Sequence, residues 1–189
     1  MTSIREEGPE HTARVLADDH SEVDTLIGDL LSALDEGDKS KAFARLDMLW
    51  ARLAVHIRAE HLCLFPSVLE ANFSDTSSGL TYQEAQRAID QLHLDHDFFM
   101  DVLGTTVNTM RNQGDASGHE AVSKQLREVR HSVVELWSRL AKHNQSEEDH
   151  VYKWVNVLLD EAQRSALMTR IRRELENLPP RFRSDSERA

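Results

Sequence analysis

Six residues in this sequence have the types and spacing to do chemistry: His20, His56 with Glu60, His96, and His143 with Glu147. His56 and Glu60 are four apart, as are His143 and Glu147, so on a helix each pair shares one face, one turn apart. The first pair continues the stripe Leu46, Leu49, Leu53 and Leu64. The second continues Val122, Leu126, Val129, Val133, Leu136 and Leu140. An apolar stripe points inward, so the spacing puts two carboxylates and four imidazoles in an interior. Burying an unpaired carboxylate is costly, two facing each other more so, and no lysine or arginine lies on the seam to neutralise them. A pair of divalent cations would do so, with the carboxylates bridging and each ion taking two histidines. Imidazole with carboxylate suits iron, manganese or zinc, whereas copper(I) favours sulfur. Taken singly, each piece has a plainer reading. A lone seam histidine is usually a hydrogen-bonded core residue, and a lone His-x-x-x-Glu is common on solvated helix faces. Four such features on four inner stripes carry the case together.

The elements that must position these residues are helices, because apolar residues recur at steps of three and four and no stretch alternates like a strand. The first helix runs from about Glu10 to Asp35, with Leu16, His20, Val23, Ile27, Leu30 and Leu34 on its seam, and ends in the turn Asp35-Glu36-Gly37-Asp38. The second runs from about Lys39 to Ala71, with a kink expected at Pro66, which removes a donor and clashes with the preceding turn. Asn72 to Gly79 reads as a loop. Thr81, with Glu84 three residues on, reads as a capping box opening the third helix, whose seam holds Ile89, Leu92, His96, Phe99, Leu103 and Met110. Asn112 to Gly118 closes it. The fourth runs from about His119 to Leu159, and a shorter fifth from about Glu161 to Leu178 stops at Pro179-Pro180. Long helices with short connections predict an all-α, antiparallel up-and-down four-helix bundle with a short extra C-terminal helix. The expected organisation is a flexible N-terminal arm over residues 1–12, the bundle over 13–159, the additional helix over 160–178 and a disordered tail over 179–189.

The two halves resemble each other. Leu16-Ala17-Asp18-Asp19-His20 aligns with Leu92-His93-Leu94-Asp95-His96, and Leu53-Ala54-Val55-His56 with Glu60 aligns with Leu140-Ala141-Lys142-His143 with Glu147. This repeat selects His96 over His93, because Ala17 fills the matching place in the first half. Asp19 and Asp95 could orient imidazoles, but each is turned about 100° from its histidine, which favours exposed charges. His61 and Glu148, one residue off the stripe, read as boundary residues, and His150 falls on the stripe one turn beyond Glu147.

The chain has 189 residues, enough for one domain with a real core. Its 22 basic against 33 acidic residues give a net charge of -11, which disfavours nucleic acid and anionic membranes as partners. One cysteine, Cys63, cannot form an internal disulfide and reads as a small buried hydrophobe. The polar start MTSIREEGPEHT is unlike a signal peptide, and no apolar run reaches the length of a membrane span. The expectation is a soluble, cytoplasmic monomer or weak homodimer.

The order His20, HIRAE with His56 and Glu60, LDHD with His96, and HNQSE with His143 and Glu147 resembles the hemerythrin-like family, the HHE cation-binding domain, over roughly Ala13 to Leu159. Leu64-Phe65-Pro66 is similar to the signature that follows the second-helix motif in that family. The resemblance implies a four-helix bundle around a non-haem diiron centre, bridged by two carboxylates and an oxo or hydroxo group. Oxygen-carrying hemerythrins have two histidines four apart on the third helix; here Leu92 stands four before His96, and His93 is the nearest candidate for a fifth histidine. The chain resembles instead the branch with one His-x-x-x-Glu on the second helix and one on the fourth, found in bacterial hemerythrin-like proteins and in a eukaryotic iron-sensing ubiquitin-ligase domain. That branch implies reaction with hydrogen peroxide, O2 or NO, with catalase-like turnover in some members, or else oxygen or iron sensing or storage.

Overall fold

A computed structural model describes residues 11–74, 79–112 and 119–182. Helix α1 is His11–Asp35. Helix α2 comprises Lys39–Ala59, a π turn at Glu60–Leu64, and Phe65–Leu69. Helix α3 is Tyr82–Asn112. Helix α4 comprises His119–Ser146, a second π turn at Glu147–Val151, and Tyr152–Leu158. Helix α5 is Glu161–Leu175, and a 3-10 turn follows at Pro180–Phe182. The described residues contain no strand, and the all-α bundle with an added C-terminal helix is the architecture expected from the sequence. The expected arm, most of its residues, part of the two loops and the tail beyond Phe182 lie outside the described residues.

Local chemistry sets the helix ends. Gly37 takes φ +73°, its N–H donates to Leu34 O and the Asp38 N–H to Ala33 O, a left-handed cap that closes α1. Asp38 then caps α2 by accepting from the Lys41 N–H at 2.9 Å. The capping box at α3 is present: the Thr81 hydroxyl accepts from the Glu84 N–H, and Glu84 Oε2 accepts from the Thr81 N–H. A second box, Asp160 with Gln163, opens α5.

Two apolar layers make the core, and the polar seam lies between them. The upper layer includes Val23, Ile27, Leu53, Phe99, Leu103, Leu136 and Leu140. The lower includes Leu16, Ala59, Leu64, Phe65, Leu92, Val151 and Tyr152. Along α1 the lower layer comes first and the upper second; along α2 the order reverses, and it alternates again through α3 and α4. That alternation is the up-and-down topology, and it puts His20, His56, His96 and His143 at one level. Helix α5 buries Leu167, Ile171 and Leu175 against the lower layer, so it shares the bundle's core. Ile171 is completely buried. Ile171→Ala is therefore expected to cost about 2–5 kcal/mol in a single cooperative urea transition; a loss below about 1 kcal/mol would mean α5 is not part of the folding unit.

A kink is expected at Pro66, and the departure from α geometry comes earlier: the backbone leaves it at Glu60, and the Phe65 N–H donates to Glu60 O across the π turn. Proline leaves the carbonyl four residues back, that of Leu62, without its helical donor, and Arg170 of α5 donates to it at 2.7 Å. The π turn in α4 has no proline to announce it. Its extra residue rotates the chain that follows by about 100°, and His150, within the wider turn itself, is exposed with its Nδ1 donating to Ser146 O. His150 is therefore not on the inner stripe.

Candidate metal centre

All six seam residues converge. Glu60 and Glu147 have no solvent exposure, and His20, His56, His96 and His143 are buried. Glu60 turns Oε1 to His56 Nε2 at 3.4 Å and Oε2 to His96 Nε2 at 3.3 Å. Glu147 turns Oε2 to His20 Nε2 at 3.4 Å and Oε1 to His143 Nε2 at 3.1 Å. Among the described residues, two groups have donor atoms within 4.8 Å of one another: His20, His56, Glu60 and Glu147, and Glu60, His96, His143 and Glu147. Both glutamates belong to both groups.

The donors fit cations better than they fit one another. Glu60 Oε2 and Glu147 Oε1 are buried and accept no hydrogen bond. His96 Nε2 and His143 Nε2 face each other at 3.0 Å. A protein interior rarely leaves such groups orphaned, and a cation takes every one of these lone pairs at once. With no cation, protons compensate. Burial opposes protonation of His56, but the charge of Glu60 and the bond to Asp19 outweigh it and push the imidazole well above its usual pKa. His143 is raised likewise, burial opposing and Glu147 prevailing. Burial would raise Glu60, yet His56 and His96 hold it well below the usual carboxylate range.

Each of the four histidines is held from behind at Nδ1, so that Nε2 points inward. His56 Nδ1 donates to Asp19 at 2.7 Å, His143 Nδ1 to Asp95 at 3.3 Å, and His20 Nδ1 to Glu148 at 2.9 Å. His96 Nδ1 lies 2.8 Å from His61 Nε2. Burial, with His96 and His93 nearby, lowers His61 to a pKa of about 4, so at neutral pH it has a lone pair to accept that proton. Asp19 and Asp95 are thus not exposed charges: Asp19 is buried and Asp95 half-buried. The 100° turn that seemed to carry them to solvent carries them to the neighbouring helix, where the partner imidazole stands. Each is also gripped by an arginine, Asp19 by Arg52 and Asp95 by Arg139. Arg52 and Arg139 precede His56 and His143 by four residues, so the repeat extends to Arg-x-x-x-His-x-x-x-Glu, a signal present in the sequence. His61 and Glu148, expected only as boundary residues, follow the two glutamates and each hold the histidine of the other half. Asp19→Asn is expected to weaken metal binding by about 10–100-fold in a chelator competition; unchanged affinity would mean that Asp19 does not support His56.

His93 belongs to neither group. Its ring packs at a tilt against His61, ring centroids 4.4 Å apart, and against Phe65 at 5.2 Å. Tyr152 is the residue that sequence reasoning missed: its hydroxyl lies 3.1 Å from His20 Nε2, 3.3 Å from Glu60 Oε1 and 3.4 Å from Glu147 Oε2. Five residues beyond Glu147, it would face elsewhere on an uninterrupted helix; the π turn aims it inward.

No helix among the described residues is long and apolar enough to cross a membrane. Searches of curated proteins and of solved structures find no match. The family model for the hemerythrin HHE cation binding domain matches residues 11–155, which include all six converging residues. The chain belongs to the hemerythrin HHE cation-binding family.

Proposed function

We propose that this chain holds two non-haem iron ions on His20, His56, Glu60, His96, His143 and Glu147 and reacts with hydrogen peroxide, O2 or NO, peroxide disproportionation being the sharpest form. Manganese and zinc, which the same donors accept, are the less favoured occupants. The observation that supports the reading most is the pair of completely buried glutamates, each presenting one oxygen to His20 or His56 and the other to His96 or His143. Two adjacent redox-active ions supply the electron exchange by which two peroxide molecules become two waters and one dioxygen. The chain's own residues do the rest. Glu60 and Glu147 fix the separation of the two positions. Asp19, Asp95 and Glu148 keep the Nδ1 protons in place, so the Nε2 lone pairs stay available. Leu53, Phe99 and Leu140 above and Phe65, Leu92 and Val151 below exclude bulk water. The acidic surface and single buried cysteine accord with a cytoplasmic monomer or weak homodimer whose partners are small molecules.

A sensor reading draws on a different observation. Arg52 donates to Asp19, which holds His56, and also to the Leu175 carbonyl at the end of α5. Metal occupancy could thus reach α5 through three side chains. Peroxide added to the iron-loaded chain separates the readings. Sustained oxygen evolution is the expected result; two bound irons without turnover, but with iron-dependent protection of α5 from proteolysis, would overturn turnover in favour of sensing.

A further inference from the structure

The outer residues of the two halves match position for position, and where they differ the difference is chemical. After Glu60 comes His61, and after Glu147 comes Glu148; after the first π turn comes Phe65, and after the second Tyr152. Phe65 stacks on His96 with 13° between ring planes, and Tyr152 stacks on His20 with 21°. The two aromatic rings therefore occupy equivalent places, one over each histidine pair. Only Tyr152 has an oxygen there, and that oxygen lies within 3.4 Å of donor atoms from His20, Glu60 and Glu147.

We propose that Tyr152 is a seventh protein donor, which completes the metal position of His20 and His56 and leaves the position of His96 and His143, beside Phe65, as the one open to an exogenous small molecule. This rests on the two-metal reading above. The first position then has His20, His56, Tyr152 and both glutamates, and the second has His96, His143 and both glutamates. The support from behind is unequal in the same sense. Glu148 and Asp19, both carboxylates, back both imidazoles of the first pair, whereas the second pair has one carboxylate, Asp95 behind His143, and the ring of His61 behind His96. A small-molecule ligand therefore meets a filled position on one side. On the other it meets a position with one donor fewer, walled by an apolar ring.

The test loads the full-length chain with ferric iron, counts the metal, and records absorption and resonance Raman spectra. Two irons with a visible phenolate-to-iron charge-transfer band and tyrosinate ring modes are expected. Tyr152→Phe, which keeps the ring, is expected to retain both irons and lose the band. Two irons without tyrosinate modes in the wild-type chain, or a band that survives in Tyr152→Phe, would overturn the seventh donor alone. Failure to bind two irons would overturn the two-metal reading and this proposal with it. Phe65→Tyr puts a phenol at the open position, so azide binding to the two-iron form is expected to weaken by more than about tenfold; unchanged azide affinity would overturn the assignment of the open position.

Discussion

Replacing His56 and His143 together by alanine is expected to abolish stoichiometric binding of both metal ions. The two residues come from different helices and from different donor groups, so the double variant removes one nitrogen from each position. It also strands Asp19 and Asp95, whose buried or half-buried oxygens lose the imidazole N–H they accept, while Arg52 and Arg139 keep those carboxylates paired. The fold should survive, because the apolar layers above and below the seam are untouched. The measurement is metal content after reconstitution and desalting, beside a circular-dichroism spectrum. A folded double variant that still carries two ions would falsify the assignment of the site.

The second large effect is on stability. The seam of the metal-free chain is an energetic liability: two completely buried carboxylates with two orphaned oxygens among them, and His96 and His143 with their Nε2 atoms face to face. Cations bind the folded seam and have no comparable site in the unfolded chain. At a hundredfold excess over Kd, each site adds about 2.7 kcal/mol, and two add about 5 kcal/mol. For a chain of this length each kcal/mol moves Tm by about 2–4 °C, so loading both positions should raise Tm by about 10–20 °C. Thermal unfolding of the chelated and iron-loaded chain measures the difference. A Tm that does not move with iron would contradict linkage between the seam and folding.

Much of this molecule is legible in its sequence, and the parts that are not have a common cause. Helical periodicity gives the bundle, because a seam at steps of three and four constrains every helix at once. The same periodicity puts His56 with Glu60 and His143 with Glu147 on inner faces, where the structure has them. Two departures from α geometry were missed, the π turns after Glu60 and Glu147. A repeat of 3.6 residues has no place for an inserted residue, and only Pro66 marks one of the two. Everything the insertions control was missed with them, namely the inward turn of Tyr152 and the outward turn of His150. The roles of Asp19, Asp95, His61 and Glu148 were missed for a different reason. A side chain turned 100° from the bundle axis points at an adjacent helix as readily as at water, and only the packing of neighbours decides between them. The repeated pairing of Arg52 with His56 and of Arg139 with His143 was the available clue, because an arginine one turn before each histidine gives the flanking aspartate a reason to face inward.

The measurement that bears most directly on the central claim is a crystal structure of the iron-loaded chain with anomalous data at the iron edge. Two anomalous peaks are expected between Glu60 and Glu147, one beside His20 and His56 and the other beside His96 and His143. A single peak, or peaks away from these residues, would contradict a two-iron centre built on the repeated seam.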